Sequence, residues 1–450
     1  MPAARRAGRS VTAAAVPPPV WRSRAVWTVV AATIGWRCVL ALRTPVPSED
    51  GASYLWMAQR FAAGEFALAL GEVFPPGFPL LLAPWLWLGG EPFATAQVFG
   101  VLCAAATVLP LVAIARHFGG AGALGAACLW ASGSLLARNA VEAFSEPPFL
   151  LSMALGTLAG LRGRWWLVGT AAAIAFWIRP EGLLLPVAFV LSHRRPALWA
   201  LPTAGVGVLL LAVGRWLAGH GFDPLPLLAF HGLRDDLPQR GELLTNLLQV
   251  PGAWLEAFAV TGLLLVAAVR RWRERAVQAL GWQCLLQISA VCTFVVRRRF
   301  FLSAAVPVHA LAAPALAALR PRWRHTLVAA LVVVGGVGGY RGTIEPDRAA
   351  ERDVARWLAT QLRPDEEVVS DLARVVWYAG RRPPPPRRFT TDVLLAQASQ
   401  PASRFVVVGN RREGFDGLAR GLAVGYAPLS LPDELRHLAD ARGIAVFARR

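Results

Sequence analysis

The sequence has no lysine, and all 46 of its basic side chains are arginine. This absence is compositional and carries no mechanistic weight. Charge of either sign is scarce. Only 16% of the 450 residues are charged, where a soluble domain carries about 25%. Hydrophobic residues reach 55% and the mean hydropathy is +0.46. That pattern excludes disorder, which needs high charge and little apolar surface. It also excludes one water-soluble core, because a single core stops growing at about 250–300 residues. Cysteine is sparse too. Cys38, Cys103, Cys128, Cys284 and Cys292 each lie inside an apolar run and form no Cys-x-x-Cys pair, so buried free thiols are expected rather than a disulfide or zinc framework. The histidines (His117, His193, His220, His231, His309, His325 and His437) have no ligand spacing, so no metal site is expected.

What is present is a series of long apolar runs separated by arginines. The net charge of +18 therefore reads as a polytopic membrane protein rather than a nucleic-acid binder. The apolar runs are 25–42, 92–115, 121–136, 147–161, 165–178, 183–191, 197–218, 253–269, 276–296, 300–319 and 326–340. They give about eleven spans, several of them short, where a membrane helix needs about 20 residues. The pair 165–178 and 183–191 also reads as one broken helix. The first run is long for a signal peptide and lacks a clean small-x-small cleavage site, so it reads as an uncleaved span. Arginine clusters fall at the N-terminus (Arg5, Arg6, Arg9, Arg22, Arg24), Arg116, Arg162 and Arg164, and Arg194–Arg195. They recur at Arg270, Arg271, Arg273 and Arg275, and at Arg320, Arg322 and Arg324. Each follows an even number of spans. Cytoplasmic loops carry the excess of arginine, which predicts a cytoplasmic N-terminus and an extracytoplasmic C-terminal segment.

Three outer segments follow from that count: 43–91, 219–252 and 341–450. In the first, residues 54–61 read as an amphipathic helix lying on the membrane surface. Phe74-Pro-Pro-Gly-Phe-Pro79 then makes a turn, followed by a short apolar stretch. In the last, 347–362 has helical spacing, with Val354, Trp357, Leu358 and Leu362 on one face. Residues 367–371, 405–409 and 444–448 read as short strands, and 383–386 as a polyproline linker. The expected organisation is a membrane domain over 1–340 and a small α/β domain over 341–450.

Several polar residues sit at the expected outer rim. Glu49-Asp50 follows the first span; a carboxylate in a partly buried site can act as a general base, and the alternative is a solvated loop pair. Asp50 is four residues before Tyr54. Arg138 and Glu142 are spaced to pair on a helix face, followed by Ser145-Glu-Pro-Pro148. Arg179-Pro-Glu-Gly182 breaks an apolar run, and broken backbone at membrane depth belongs where it lines a cavity or is buried in protein. Arg297-Arg-Arg-Phe-Phe301 is the exception to the charge rule, because its three arginines fall on the outer side. Guanidinium forks suit phosphate, so Arg297, Arg298 and Arg299 are candidates to hold a lipid phosphate or pyrophosphate. A general anionic-headgroup anchor is the alternative.

Taken in order, these motifs resemble a known family. Pro47-Ser-Glu-Asp-Gly-Ala-Ser-Tyr54 with Phe74-Pro-Pro-Gly-Phe-Pro-Leu80 resembles the first outer loop of GT-C fold glycosyltransferases that use lipid-linked sugars. Within that class the closest likeness is to glycosyltransferase family 39 and the Rgt and aminoarabinose-transferase-like bacterial proteins. Ser145-Glu-Pro147, Ile178-Arg-Pro-Glu-Gly182 and Arg299-Phe300 with Pro307 resemble the family's later elements. The stretch from Ala355-Arg-Trp-Leu358 through Val368-Val-Ser-Asp371 to Trp377-Tyr-Ala-Gly-Arg381 resembles the start of its extracytoplasmic domain. The resemblance covers nearly the whole chain.

The resemblance implies an inverting transferase of the inner (plasma) membrane. It implies a polyprenyl-phosphate sugar donor, a cell-envelope acceptor (lipid, glycan or protein), contact with membrane lipid, and no metal or other cofactor. Asp50 sits where the family places its acceptor-activating acid. The family often shows Asp-Glu there and this chain has Glu-Asp-Gly, so Glu49 and Asp50 both stand as candidates, with Asp50 favoured by the tyrosine spacing. Tyr54, Arg138, Glu146, Arg179, Glu181 and Arg297–Arg299 are the expected binding residues. The rivals are a transporter or lipid flippase, which would spread charge through several spans and show a repeated half, and a non-catalytic scaffold.

Overall fold

The structure, a computed structural model, describes residues 19–222, 240–292, 296–342, 348–384, 390–411 and 414–450, with the backbone alone at 240–242. The expectations for Arg5, Arg6, Arg9, His231, Asp347, Pro385 and Pro386 lie outside the described residues. Twelve helices build the first half: α1 (Arg24–Leu42), α2 (Glu49–Ala62), α3 (Phe66–Leu70), α4 (Gly77–Trp87), α5 (Pro92–Ala106), α6 (Val108–Gly119), α7 (Ala123–Ser132), α8 (Ser134–Asn139), α9 (Glu146–Leu161), α10 (Trp165–Ile178), α11 (Leu184–His193) and α12 (Ala200–Leu217). Helices Arg240–Phe258, Val266–Val269, Arg275–Cys292, Ala305–Ala318 and Pro321–Gly342 complete the helical part.

Among the described residues five stretches are long and apolar enough to cross a membrane: Arg24–Leu42, Pro92–Ser132, Arg195–Leu217, Leu243–Val269 and Arg298–Ala318. Shorter apolar helices are Gly77–Trp87, Trp165–Ile178 and Pro180–His193. The protein is a polytopic helical membrane protein, but its helices do not map one to one onto the eleven apolar runs. The run 121–136 is divided at Gly133, whose ψ of 116° separates α7 from α8. Glycine leaves helical backbone without steric cost, and hydropathy does not register the break. The outer segment expected over 219–252 ends in helix, since Arg240–Phe258 begins inside it.

The break after α10 is as expected. Arg179 leaves the helix in extended conformation (φ −154°, ψ 134°), because the residue before a proline is pushed out of the helical region. Two expectations in the first outer loop are corrected. The stretch after Phe74 is itself a helix, α4, with Pro79 in its first turn, where the missing N–H has no helical partner to lose. And α2 does not lie open on a surface: Gly51–Ala58 and Phe61 are buried. The helix packs on α4 and on the C-terminal segment Ala373–Tyr378, which together cover its polar stripe as well as its apolar one. Gly77 lets the start of α4 sit close against the end of α10, since a Cβ there would stand 2.5 Å from the carbonyl carbon of Trp177.

The C-terminal α/β unit starts with helix Ala349–Gln361. Its sheet joins β1 (Glu367–Ser370), β2 (Ser403–Gly409), β3 (Tyr426–Pro428) and β4 (Ile444–Arg449) in the order β1-β2-β4-β3. β1 and β2 are parallel, and β4 is antiparallel to both β2 and β3. Side chains alternate between two cores, as a period of two requires. Val368, Phe405, Val407 and Val446 pack with Val354 and Leu358 on one face. Val369, Val406, Val408 and Phe447 pack with Leu394, Leu418 and Tyr426 on the other. Three of the strands were expected from the sequence; β3, only three residues long, was not. All five cysteines are free, and Cys38 is exposed rather than buried.

Candidate active site

The starts of α2 and α9, the break after α10 and the turn Arg298–Ala304 meet at one place. Ser48 caps α2 by accepting from the Gly51 amide at 2.9 Å, and Glu49 and Asp50 occupy its first turn, where the helix dipole favours anions. The Ser48 amide donates to the Glu142 carbonyl at 3.0 Å, and a Cβ on Gly51 would stand 2.8 Å from that oxygen. The start of α2 is thus seated against the turn before α9. Glu146 opens α9 and is itself at a helix N-terminus.

From these elements a chain of alternating charge is built. Asp50 Oδ2 is 2.5 Å from Arg299 Nη2. Arg299 Nε is 3.5 Å from Glu146 Oε1. The same carboxylate oxygen is 2.8 Å from Arg179 Nη1, and Arg179 Nη2 is 2.9 Å from Glu181 Oε1. Three carboxylates therefore share two guanidinium groups. Glu146 and Arg179 are buried, while Asp50 and Arg299 keep partial exposure. Arg299 also stacks over Phe144 at 4.6 Å and Phe300 at 5.4 Å, so its cation is held on two sides by aromatic faces. Among the described residues the second oxygens of Glu146 and Glu181 and the Nε of Arg179 have no hydrogen-bond partner. Tyr54 lies beside the cluster with its hydroxyl 3.2 Å from Ser145 Oγ. It is packed on Phe74 and Phe78, and burial pushes its phenol above its ordinary value.

Not every sequence candidate joins the cluster. Glu49 turns the other way, and its Oε1 lies 2.7 Å from Nη2 of Arg374 in the C-terminal unit. Arg138 and Glu142 form their own pair at 2.5 Å. Arg297 and Arg298 are exposed and line a groove of about 630 Å³ with Leu248, Gln249, Ala253 and Glu256. Arg298 lies 3.9 Å from Glu256 there. Arg299 belongs to both places, since it lines the groove and contacts Asp50. Among the described residues no three His, Cys, Asp or Glu side chains gather as metal ligands do.

Sequence reading missed Phe144, Glu351 and Arg374. Phe144 carries no signal beyond being apolar. Glu351 does carry one: it precedes Val354 by three residues and Leu358 by seven, which puts a carboxylate on the buried face of its helix. It is 0% exposed, and such a group needs a cationic partner.

No protein-family model matches the chain, and no curated protein sequence matches it significantly. Solved structures do. The aminoarabinose transferase ArnT from Cupriavidus metallidurans, bound to undecaprenyl phosphate, superposes with a TM-score of 0.63 at 16% identity, covering 94% of this chain and 97% of that one. The oligosaccharyltransferase of Archaeoglobus fulgidus, tethered to an acceptor peptide, superposes with a TM-score of 0.55 at 12% identity, covering 90% of this chain and 73% of that one. The chain therefore has the GT-C fold that these two proteins share.

Proposed function

We propose that the protein is an inner-membrane glycosyltransferase that moves a sugar from a polyprenyl-phosphate donor to a cell-envelope acceptor on the outer side of the membrane. In this reading residues 1–340 are the transferase domain. Residues 341–450 are extracytoplasmic, in keeping with the arginine-rich connections between even-numbered runs and the next. The observation that carries the proposal is the double placement of Arg299. One side of it meets Asp50, and the other opens on a groove of mixed lining, with Leu248, Ala253 and Val296 beside Gln249, Glu256 and two further arginines, Arg297 and Arg298. A lipid phosphate on a long apolar tail needs such a groove, and its reacting sugar must lie within reach of a base. ArnT, of the same fold, binds undecaprenyl phosphate.

The chemistry is a single displacement. The acceptor oxygen forms a bond to the anomeric carbon while the bond from that carbon to the phosphate oxygen breaks. Asp50 takes the acceptor proton, and Arg299, with Arg297 or Arg298, receives the charge developing on the departing lipid phosphate. A single attack inverts the anomeric centre. Glu146 holds Arg299, Arg179 pairs with Glu146 and Glu181, and the three shape the cavity; Tyr54 backs the first turn of Glu146's helix through Ser145. The pairing of Glu49 with Arg374 supports reading Asp50 as the base.

The test compares envelope glycolipids and glycans of cells with the gene deleted, and of deleted cells carrying wild-type or Asp50→Asn protein. A sugar lost on deletion should return with wild type. The Asp50→Asn form should transfer it about 10²–10⁴-fold more slowly, the range for removing a general base. Wild-type transfer by Asp50→Asn at equal protein level would overturn the assignment.

A further inference from the structure

The C-terminal unit is fastened to the first outer loop chiefly through residues 374–382. Arg374 reaches Glu49 at 2.7 Å. Trp377 Nε1 donates to Gln59 Oε1 at 3.0 Å, and Arg382 Nη2 lies 2.6 Å from the buried Glu72 carboxylate. Arg352 adds a bond to the Pro45 carbonyl at 3.3 Å. The Arg374 contact differs from the rest in two ways. It falls on the residue next to Asp50, and its far side is anchored inside the α/β unit. Arg374 Nε and Nη2 donate to Glu351 at 2.7 and 3.1 Å. Glu351 is fully buried and also accepts from Arg442 at 2.9 Å. The guanidinium of Arg374 is thus fixed by a bidentate contact before it meets Glu49.

We infer that Arg374 is a positioning residue for Asp50: by pinning Glu49 to the Glu351 anchor it sets the first turn of α2, and with it the direction of the neighbouring Asp50 carboxylate toward Arg299. The inference rests on the transferase reading above. Adjacent residues of one helical turn share a backbone, so releasing Glu49 loosens Asp50 without touching the groove. Misplacement of a reacting group by about 1 Å costs on the order of a hundredfold in rate. The donor lipid, held by Arg297–Arg299, should not register the change.

The experiment uses the full-length protein in two formats: complementation of the deletion strain, read as envelope sugar at matched protein level, and binding of undecaprenyl phosphate to purified protein in nanodiscs. Arg374→Gln should lower transfer about ten- to a hundredfold and leave undecaprenyl phosphate affinity within about threefold. Arg374→Lys, which keeps the charge, should recover part of the rate. Glu49→Gln should fall by a factor like that of Arg374→Gln, and the double variant should be no worse than either, because all three remove the same contact. Several results overturn the inference. These are wild-type transfer by Arg374→Gln, equal losses in donor binding and transfer, multiplicative losses in the double variant, or a Glu49→Gln protein far slower than Arg374→Gln. The last would give Glu49 a chemical role. Asp50→Asn and Arg299→Ala in the same strain separate the two levels. If both transfer normally, the assignment of the site to Asp50 and Arg299 fails and the positioning role falls with it; if deletion of the gene removes no envelope sugar, the transferase reading itself fails. If both fail while Arg374→Gln works, only the positioning role is lost.

Discussion

The same side chain lives in two settings in this molecule. In the connections 162–164, 194–195, 270–275 and 320–324, arginine is mostly exposed and has few carboxylates near it; Arg271 with Glu274 at 2.7 Å is the local exception. Around the starts of α2 and α9 four arginines are buried or half-buried, and each of the four meets a carboxylate. Arg138 has Glu142, Arg179 has Glu146 and Glu181, Arg299 has Asp50, and Arg374 has Glu49 and Glu351. The +18 excess is therefore not spread evenly. It belongs to the exposed connections, where surface charge adds little to stability and suits anionic lipid headgroups. The paired set is close to neutral and is built into the fold. Burial, not net charge, separates the carboxylate-paired arginines around Asp50 from those of the connections.

The largest expected difference between the two settings is in stability. Arg179→Ala would leave Glu146 and Glu181 facing each other with no bidentate cation between them. Breaking a buried pair by removing one partner costs about 3–5 kcal/mol. Arg273→Ala, in an exposed connection, should stay within about 0.5 kcal/mol. Thermal unfolding of both proteins in the same nanodisc checks this. Equal melting temperatures would mean that the two settings do not differ energetically.

The next difference is in ligand binding. Arg299→Ala should weaken undecaprenyl phosphate binding about tenfold, or 1.4 kcal/mol, with a smaller loss for the exposed Arg298→Ala. Arg273→Ala should leave it unchanged. A loss of acceptor binding without a loss of donor-lipid binding in Arg299→Ala would move that residue out of the phosphate role and sharpen the contrast differently.

Much of this contrast was legible before any coordinates. The Arg-Pro-Glu-Gly break, the acidic pair after the first span and the arginines before Phe300 each violate a local rule, either helix continuity or the sign of charge in a loop. Such violations mark the places where tertiary structure supplies the compensation. The chain Asp50–Arg299–Glu146–Arg179 brings residues from all three places together. The split between Glu49 and Asp50 was not legible. Neighbours on a helix point about 100° apart, and which of them faces the groove depends on what docks on α2. That partner, Ala373–Tyr378, lies more than 300 residues away and has no periodic signal of its own. The burial of α2 was hidden for the same reason. An amphipathic pattern gives the apolar face, but it does not say that the polar face is covered by arginines and a tryptophan of another unit.

The smallest expected effect concerns Glu72, a buried carboxylate in the first outer loop whose cation comes from the C-terminal unit. Burial raises its carboxyl above the ordinary value of 4.5, and Arg382 opposes the rise without cancelling it. A carboxyl raised in the folded state binds its proton more tightly folded than unfolded. Its stabilising contribution is therefore full below the ordinary value and is lost as the pH rises through the raised one. Glu72→Gln removes that titration, so the melting temperature of the variant relative to wild type should climb from pH 4 to pH 7. Arg382→Gln should do the reverse: with the opposing cation gone, the carboxyl rises further, and the variant should lose stability relative to wild type over the same interval. A pH-independent gap in both variants would mean that Glu72 titrates as it does in the unfolded chain. The arginines of the C-terminal unit would then hold the first loop by packing, and the paired setting would be limited to the residues around Asp50 and Glu351.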